Sequence, residues 1–348
     1  MPRVWDVPVH DSTRVRDARV AAEEAAALAG LDASRTAAAA LVATELATNL
    51  LKHARGGQLL VEAVAPPSGR PGPPVVQIAA VDHGPGMADV TAALGDGFST
   101  AGSLGAGLGT CRRVADDFGL HSVPGRGTVA LARVGAPGSA GPAAPAPARA
   151  GGVNIPFAGA DVSGDVWTWV RAEDRMTLML ADGLGHGPEA ARASTAAVEE
   201  VHRSARLRPA DILRRLDGVL RGTRGAAVAL AQLDIRAEQL LFIGVGNVGA
   251  RLREGDSWRH LLSRPGIVGV HRPASLPETV LPWGPDRLLV LHSDGLPSRW
   301  VPPADPRLPG SDPAVTAAVT VRDTSSPARP VRDDTTVAVL SPTPPDRP

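Results

Sequence analysis

In the run ELATNLLKHA, Glu45 and Asn49 stand four residues apart, so on a helix a carboxylate and a carboxamide project from one face. About thirty residues later DHGPGM follows an apolar run, with Asp82 at its end and Gly84 and Gly86 in a loop whose bare backbone can approach a flat ligand closely. GDGFSTAGSLGAGLGT comes next, and its Gly102, Gly105, Gly107 and Gly109 lead into a helix start. Unencumbered amides beside a helix N-terminus suit a polyphosphate. GRGT, ending at Thr128, precedes the last strand-like run of this half.

The second half carries acids instead. SGD (Asp165), ADGLGHG (Asp182), HSDG (Asp294) and RDDTT (Asp333, Asp334) each fall at the end of a strand-like run. Carboxylates beside glycine can converge on hard cations, since glycine lets a main-chain carbonyl join the oxygen ligands. Two such ions about 3.5 to 4 Å apart clamp a phosphate and acidify a water, so no protein nucleophile is required. One Asp-Gly pair alone reads as a β-turn, so the signal lies in the ordered set of acids. GVGNVG (Gly244 to Gly249) has the letters of a dinucleotide loop but precedes the strand-like ARLRE rather than a helix, so it reads as a tight hairpin. His53 reads as a helix-end residue, and His186 as part of a turn at a helix start.

Positioning these residues needs two layered units. Val15 to Leu28 and Thr36 to Ala54 have apolar residues at three- and four-residue spacing and predict helices. RVWDVPV, QLLVEAV, VVQIAAV, GLHSV and TVALARV predict strands, and a further helix is expected around Leu108 to Phe118. This is an α/β layer of helices on a mixed sheet. Gly135 to Gly152 has almost no large apolar side chain and reads as a linker. Beyond it, VWTWV, MTLMLA, AAVALAQL, QLLFIGV, ARLRE, RLLVLH and TTVAVL predict strands, interrupted by helices at Pro188 to Ala205 and Pro209 to Leu220. Many strands with few helices predict a β-sandwich flanked by helices. Val301 to Pro313 and Ser325 to Pro330 read as surface loops and residues 341–348 as a disordered tail.

Composition closes off other functions. Across 348 residues, 36 basic and 36 acidic side chains give a net charge of zero, with no basic cluster for nucleic acid or an anionic membrane. Lys52 is the sole lysine, which excludes a P-loop and the strand lysine of eukaryotic-type kinases. Cys111 is the sole cysteine, so no internal disulfide and no cysteine-rich zinc site can form. No apolar run approaches the roughly 18 residues of a membrane span, and the N-terminus lacks a signal-peptide core, so a soluble, cytoplasmic protein is expected.

Together, the boxes of the first half resemble the Bergerat-fold (GHKL) ATPase and kinase superfamily, and within it the switch serine kinases of the bacterial stressosome and the related anti-sigma kinases; the resemblance spans residues 1–134. It implies that Asn49 holds Mg²⁺ with ATP, that Glu45 is the general base for an incoming hydroxyl, and that Asp82 accepts the adenine amino group with support from Thr128. Gly84 and Gly86 would flank the base, and Gly105, Gly107, Leu108 and Gly109 would close over the phosphates.

The acidic set ADG, SDG and DDxT resembles the SpoIIE-like branch of metal-dependent PPM-type Ser/Thr phosphatases over residues 153–340, most closely the stressosome feedback phosphatases. That resemblance implies two Mn²⁺ or Mg²⁺ ions, bridged by Asp165, with Asp182 and the Gly183 carbonyl on one and Asp294 and Asp333 on the other; Asp334 is the alternative if the DD register slips. Trp169 stands where the family pattern has a further acid. The expectation is therefore a protein serine kinase fused to a phosphoserine/phosphothreonine phosphatase, acting on STAS-domain anti-anti-sigma or stressosome scaffold proteins, with a sigma factor or downstream phosphatase as further partners. An ATP-binding anti-sigma module that sequesters its partner, fused to an active phosphatase, is the alternative.

Overall fold

The computed structural model describes residues 3–66, 72–94, 107–137, 147–157, 160, 162–325, 331 and 333–343. The first domain runs β1 (Val4–Val9), α1 (Thr13–Leu28), α2 (Ala33–Ala54), β2 (Gly57–Val64), β3 (Val75–Val81), α3 (Val90–Ala93), α4 (Gly107–Val114), β4 (Asp117–Val123) and β5 (Gly127–Val134). Its five strands lie in the order β1-β2-β3-β5-β4. Each pairing is antiparallel rather than mixed, because the chain returns to the neighbouring strand through hairpins or helix pairs. Alanines at 18, 21, 22, 25 and 26 on α1 and at 39, 43 and 47 on α2 let the two helices approach closely over one face of this sheet. Asp32 caps α2 by accepting the Arg35 amide at 2.8 Å, and Arg55 ends the helix in the left-handed region at φ 62°.

The second domain runs β6 (Ala148–Ile155), β7 (Asp165–Ala172), β8 (Arg175–Gly183), α5 (Pro188–Arg203), α6 (Pro209–Val219), β9 (Ala226–Asp234), β10 (Gln239–Val245), β11 (Gly249–Glu254), β12 (Ser257–Leu261), β13 (Thr279–Pro282), β14 (Arg287–His292), α7 (Pro313–Thr324) and β15 (Thr335–Pro342). Two five-stranded sheets, β13-β10-β9-β8-β7 and β12-β11-β14-β15-β6, face each other. Trp169, Phe242, Leu252, Leu289 and Leu340 are among the side chains of the core between them. Helices α5 and α6 cover the outer face of the first sheet.

Several sequence expectations shift. Phe118 belongs to β4, since α4 already ends at Val114. Residues 148–152, read as linker, are the first part of β6, where Gly151 and Gly152 leave room for Ala314 and the Trp167 ring. Ser341 and Pro342, read as tail, close β15 against Arg149 and Ala148. GVGNVG is no hairpin: β10 and β11 lie in different sheets, so this segment is the crossing between them.

Helix α7 is one of the elements that sequence periodicity did not reveal. It packs on β6 and β15, and the far side of the same cluster contains Leu60, Ala79, Val81, Val129 and Leu131 from the first domain's sheet. The layers therefore run α1/α2, first sheet, α7, and then the two sheets of the sandwich with α5/α6 outside.

Candidate active sites

The first site is built on one face of α2. The bare Cα of Gly107, the first residue of α4, packs there so closely that a Cβ would lie 3.1 Å from Asn49 Oδ1 and 3.2 Å from Glu45 Oε2. Among the described residues, Asn49 Nδ2 is buried with no hydrogen-bond partner. An unpaired buried amide is costly, so this atom marks a place where a ligand oxygen would be accommodated. One to two turns further along the helix, Asp82 follows β3. Its Oδ1 accepts the Gly84 amide at 2.8 Å and the Thr128 amide at 3.1 Å. Those bonds fix the carboxylate while leaving Oδ2 to point elsewhere. Burial raises the Asp82 pKa above the ordinary carboxylate value, and the two amides and the charge of Arg322 work against that rise. Thr128 is itself held by Ser122, hydroxyl to hydroxyl at 2.9 Å. Gly86 has φ +68°, and a Cβ there would meet the Val123 carbonyl at 2.1 Å, so only glycine permits this loop path.

Leu108 and Gly109 occupy the first turn of α4, with Leu108 packed onto the α2 core. Gly105 lies outside the described residues. His53 is exposed at the end of α2.

The second site lies at one end of the sandwich. Asp165, first residue of β7, stands directly opposite Asp182 at the end of β8. Like charges directly opposite on paired strands destabilise a sheet, so this pair has a use other than stability. Asp165 is 1% exposed, and among the described residues its Oδ2 has no hydrogen-bond partner. Burial raises its pKa well above the usual value, and the Asp182 carboxylate adds to the rise. Asp182 is pushed up to about 7 by burial, then by Asp294, Asp333 and Asp334. Gly183 is pinned: a Cβ would meet the Ala190 carbonyl at 2.3 Å.

The DD pair separates into two roles. Both Asp334 oxygens accept amides, from Phe157 at 2.6 Å and Gly164 at 2.7 Å, so Asp334 ties the β6–β7 loop to β15. Asp333 is exposed, and its side chain accepts the Asp334 amide at 2.9 Å. Trp169 fills the core between the sheets instead of facing the acids.

Among the described residues, no three ligand-type side chains meet tightly enough to cage an ion. The acids are close enough to perturb one another, and an orphaned, fully buried carboxylate oxygen at their centre fits an oxygen-ligand site for a hard divalent cation. Sequence reasoning missed Asn247, whose Nδ2 donates to Asp294 Oδ2 at 2.5 Å. The signal was present in GVGNVG but read as a turn.

Comparison with known families now separates the halves. Residues 9–133 match the histidine kinase-like ATPase domain, and residues 172–342 match stage II sporulation protein E (SpoIIE). The chain joins a histidine kinase-like ATPase domain to a SpoIIE domain. Over 85 residues it is 46% identical to the serine/threonine-protein kinase RsbT of Bacillus subtilis (strain 168), a stretch covering 24% of this chain and 61% of that protein. Solved structures similar to this chain include one of the bacterial stressosome, described as a modular system adapted to control secondary messenger signalling (30% identity, 56% of this chain and 98% of that one, TM-score 0.49). Another is RsbX in complex with magnesium (20% identity, 56% and 96%, TM-score 0.47). A third is the PP2C phosphatase domain of SpoIIE from Bacillus subtilis with a fragment of its regulatory domain (16% identity, 81% and 82%, TM-score 0.49). In this chain α7 places the SpoIIE domain directly against the ATPase domain's sheet. No helix among the described residues is long and apolar enough to cross a membrane.

Proposed function

We propose that this protein sets the phosphorylation level of a partner in a bacterial sigma-factor switch, phosphorylating a STAS-domain protein through its ATPase domain and removing phosphate from serine or threonine through its SpoIIE domain. The observation that carries this reading is that one chain assembles both sites, Gly107 on the Glu45–Asn49 face and Asp165 opposite Asp182.

In the ATPase domain, Asp82 holds the adenine amino group with its fixed carboxylate, and the Gly84–Gly86 loop accepts the base edge-on. Asn49 would hold Mg²⁺ with the nucleotide, and Gly107 with Leu108 and Gly109 would supply α4's N-terminal amides to the phosphoryl oxygens. Glu45 takes the proton of the incoming serine hydroxyl as its oxygen bonds to the γ-phosphorus and the bond to the β,γ-bridging oxygen breaks. In the SpoIIE domain, Asp165, Asp182, the Gly183 carbonyl, Asp294 and Asp333 would hold two Mn²⁺ or Mg²⁺ ions. These supply an acidified water and neutralise the phosphate's charge. The buried Asp165 orients both sides of that site because it is the acid at its centre.

The test incubates the full chain with labelled ATP, Mg²⁺ and a STAS-domain protein, and separately with the phosphorylated STAS protein and Mn²⁺. Label on a STAS serine and Mn²⁺-dependent release of phosphate are expected. Tight binding of the STAS protein without transfer would make the ATPase domain a sequestering module.

A further inference from the structure

Asn247 stands at the only exposed position of the crossing between β10 and β11, where the chain passes from one sheet of the sandwich to the other. The crossing is fixed on both sides. A Cβ on Gly246 would meet the Ala227 Cβ at 2.4 Å, and one on Gly249 would meet His292 Nε2 at 2.3 Å. Val248 is 3% exposed in the core between the sheets, and the Gly246 amide donates to the Arg264 carbonyl at 2.9 Å. The Asn247 backbone is not in the left-handed region, so the turn does not itself call for asparagine. The side chain must account for the residue.

That side chain reaches from the crossing to the acids. Its amide donates to Asp294 Oδ2 at 2.5 Å, just beyond β14 in one sheet, and it lies close enough to Asp182, at the end of β8 in the other, to oppose the rise of that carboxyl's pKa. A carboxamide N–H carries two donors and no charge. It therefore draws two mutually repelling carboxylates toward a common point without cancelling the negative charge that attracts a cation. By occupying Oδ2 of Asp294 it leaves the other carboxylate oxygen for a cation.

We propose that Asn247 is a positioning residue of the SpoIIE site, holding Asp182 and Asp294 at the spacing a pair of divalent cations requires. The inference rests on the phosphatase reading of that site. Outer-shell hydrogen bonds to metal ligands are worth about 10- to 100-fold in affinity, which sets the expected effect.

The experiment is calorimetric titration of the full-length, metal-free chain with Mn²⁺ alone, without phosphosubstrate. Asn247→Ala should weaken Mn²⁺ binding by about 10- to 100-fold at unchanged stoichiometry, with the melting temperature of the metal-free protein nearly unaltered. Asn247→Gln, whose amide on an exposed turn can still reach the acids, should recover part of the loss, and it carries the test if the alanine variant folds poorly. Equal Mn²⁺ affinity in the parent and Asn247→Ala, or no recovery in Asn247→Gln, overturns the assignment while leaving the phosphatase reading intact. A parent chain that binds no Mn²⁺ removes both together.

Discussion

The guanidinium of Arg133, on β5 of the ATPase domain, grips the carboxylate of Asp312, the N-cap of α7 in the SpoIIE domain, through two parallel bonds of 2.7 and 2.9 Å. Arg133 also pairs with Asp117 and donates to Gln77 at 3.0 Å. Burial opposes ionisation of Asp312, yet the charge and hydrogen bonds of Arg133, with help from the Ala314 amide, hold its pKa below the ordinary value. At the other end of α7, His83 Nε2 lies 2.9 Å from the Arg322 carbonyl, one residue from the adenine-binding candidate Asp82. Arg126 pairs with Asp323 at 2.9 Å. Both ends of the helix are thus held by the neighbouring domain.

Removing one member of a buried ion pair strands the other and costs about 3–5 kcal/mol. Arg133→Met should therefore lower the melting temperature of the full chain sharply, because Asp312 is left buried without its partner. Adding Asp312→Asn, which keeps the cap but removes the stranded charge, should restore part of the loss. Thermal melts of the single and double variants decide it; equal stability of Arg133→Met and parent would contradict the pairing.

Glu62, on β2 at the same junction, donates a second handle. Burial pushes its carboxyl up to about 8, against the opposing bonds from Gln77 and Trp167. A carboxyl whose pKa is higher in the folded chain binds more protons folded than unfolded, so stability falls as pH rises between about 4.5 and 8 and the penalty is complete above that window. Glu62→Gln should flatten this dependence and raise the melting temperature above pH 8 by several degrees. Melts of parent and variant from pH 5 to 9 measure it, and parallel curves would count against it.

Asn49→Ala should abolish the Mg²⁺ dependence of ATP binding, since it deletes the buried carboxamide at the centre of the nucleotide face. Calorimetry with and without Mg²⁺ provides the check. Lys52, exposed on the last turn of α2, should tolerate replacement.

Glu45→Gln keeps shape and hydrogen bonding but removes the base. Nucleotide affinity should survive while transfer to a STAS serine falls about 10²- to 10⁴-fold. Undiminished transfer in this variant would reassign the base.

Phosphatase activity should vanish with EDTA and return with Mn²⁺ or Mg²⁺. Asp165→Asn should be more damaging than Asp182→Asn or Asp294→Asn, because Asp165 is the most buried of these acids and in the proposed site would serve both cations. Hydrolysis of a phosphoserine protein is the measurement; activity persisting in Asp165→Asn would end the two-metal mechanism.

The sequence by itself determined the chemistry. Glu45, Asn49 and Asp82, the glycine boxes and the ordered aspartates stood out as candidates because of their combined order and spacing, each being commonplace alone, and most strands and helices followed from apolar periodicity. Tertiary structure decided the rest. Helix α7 escaped notice because Pro313 to Arg322 are all buried: a helix covered by a sheet on each side has no polar face, so PAVTAAVTVRDT carries no 3.6-residue pattern. β6 escaped because its alanines and glycines resemble a linker until Trp167 and Ala314 are seen to need that room. Asn247 read as a turn residue because sequence cannot tell a hairpin from a crossing between sheets. Only when β10 and β11 part into opposite sheets does its amide reach Asp294, an acid that perturbs Asp182 although the two lie 112 residues apart in the chain. Long-range pairing of strands, not local propensity, sets which distant side chains share a site.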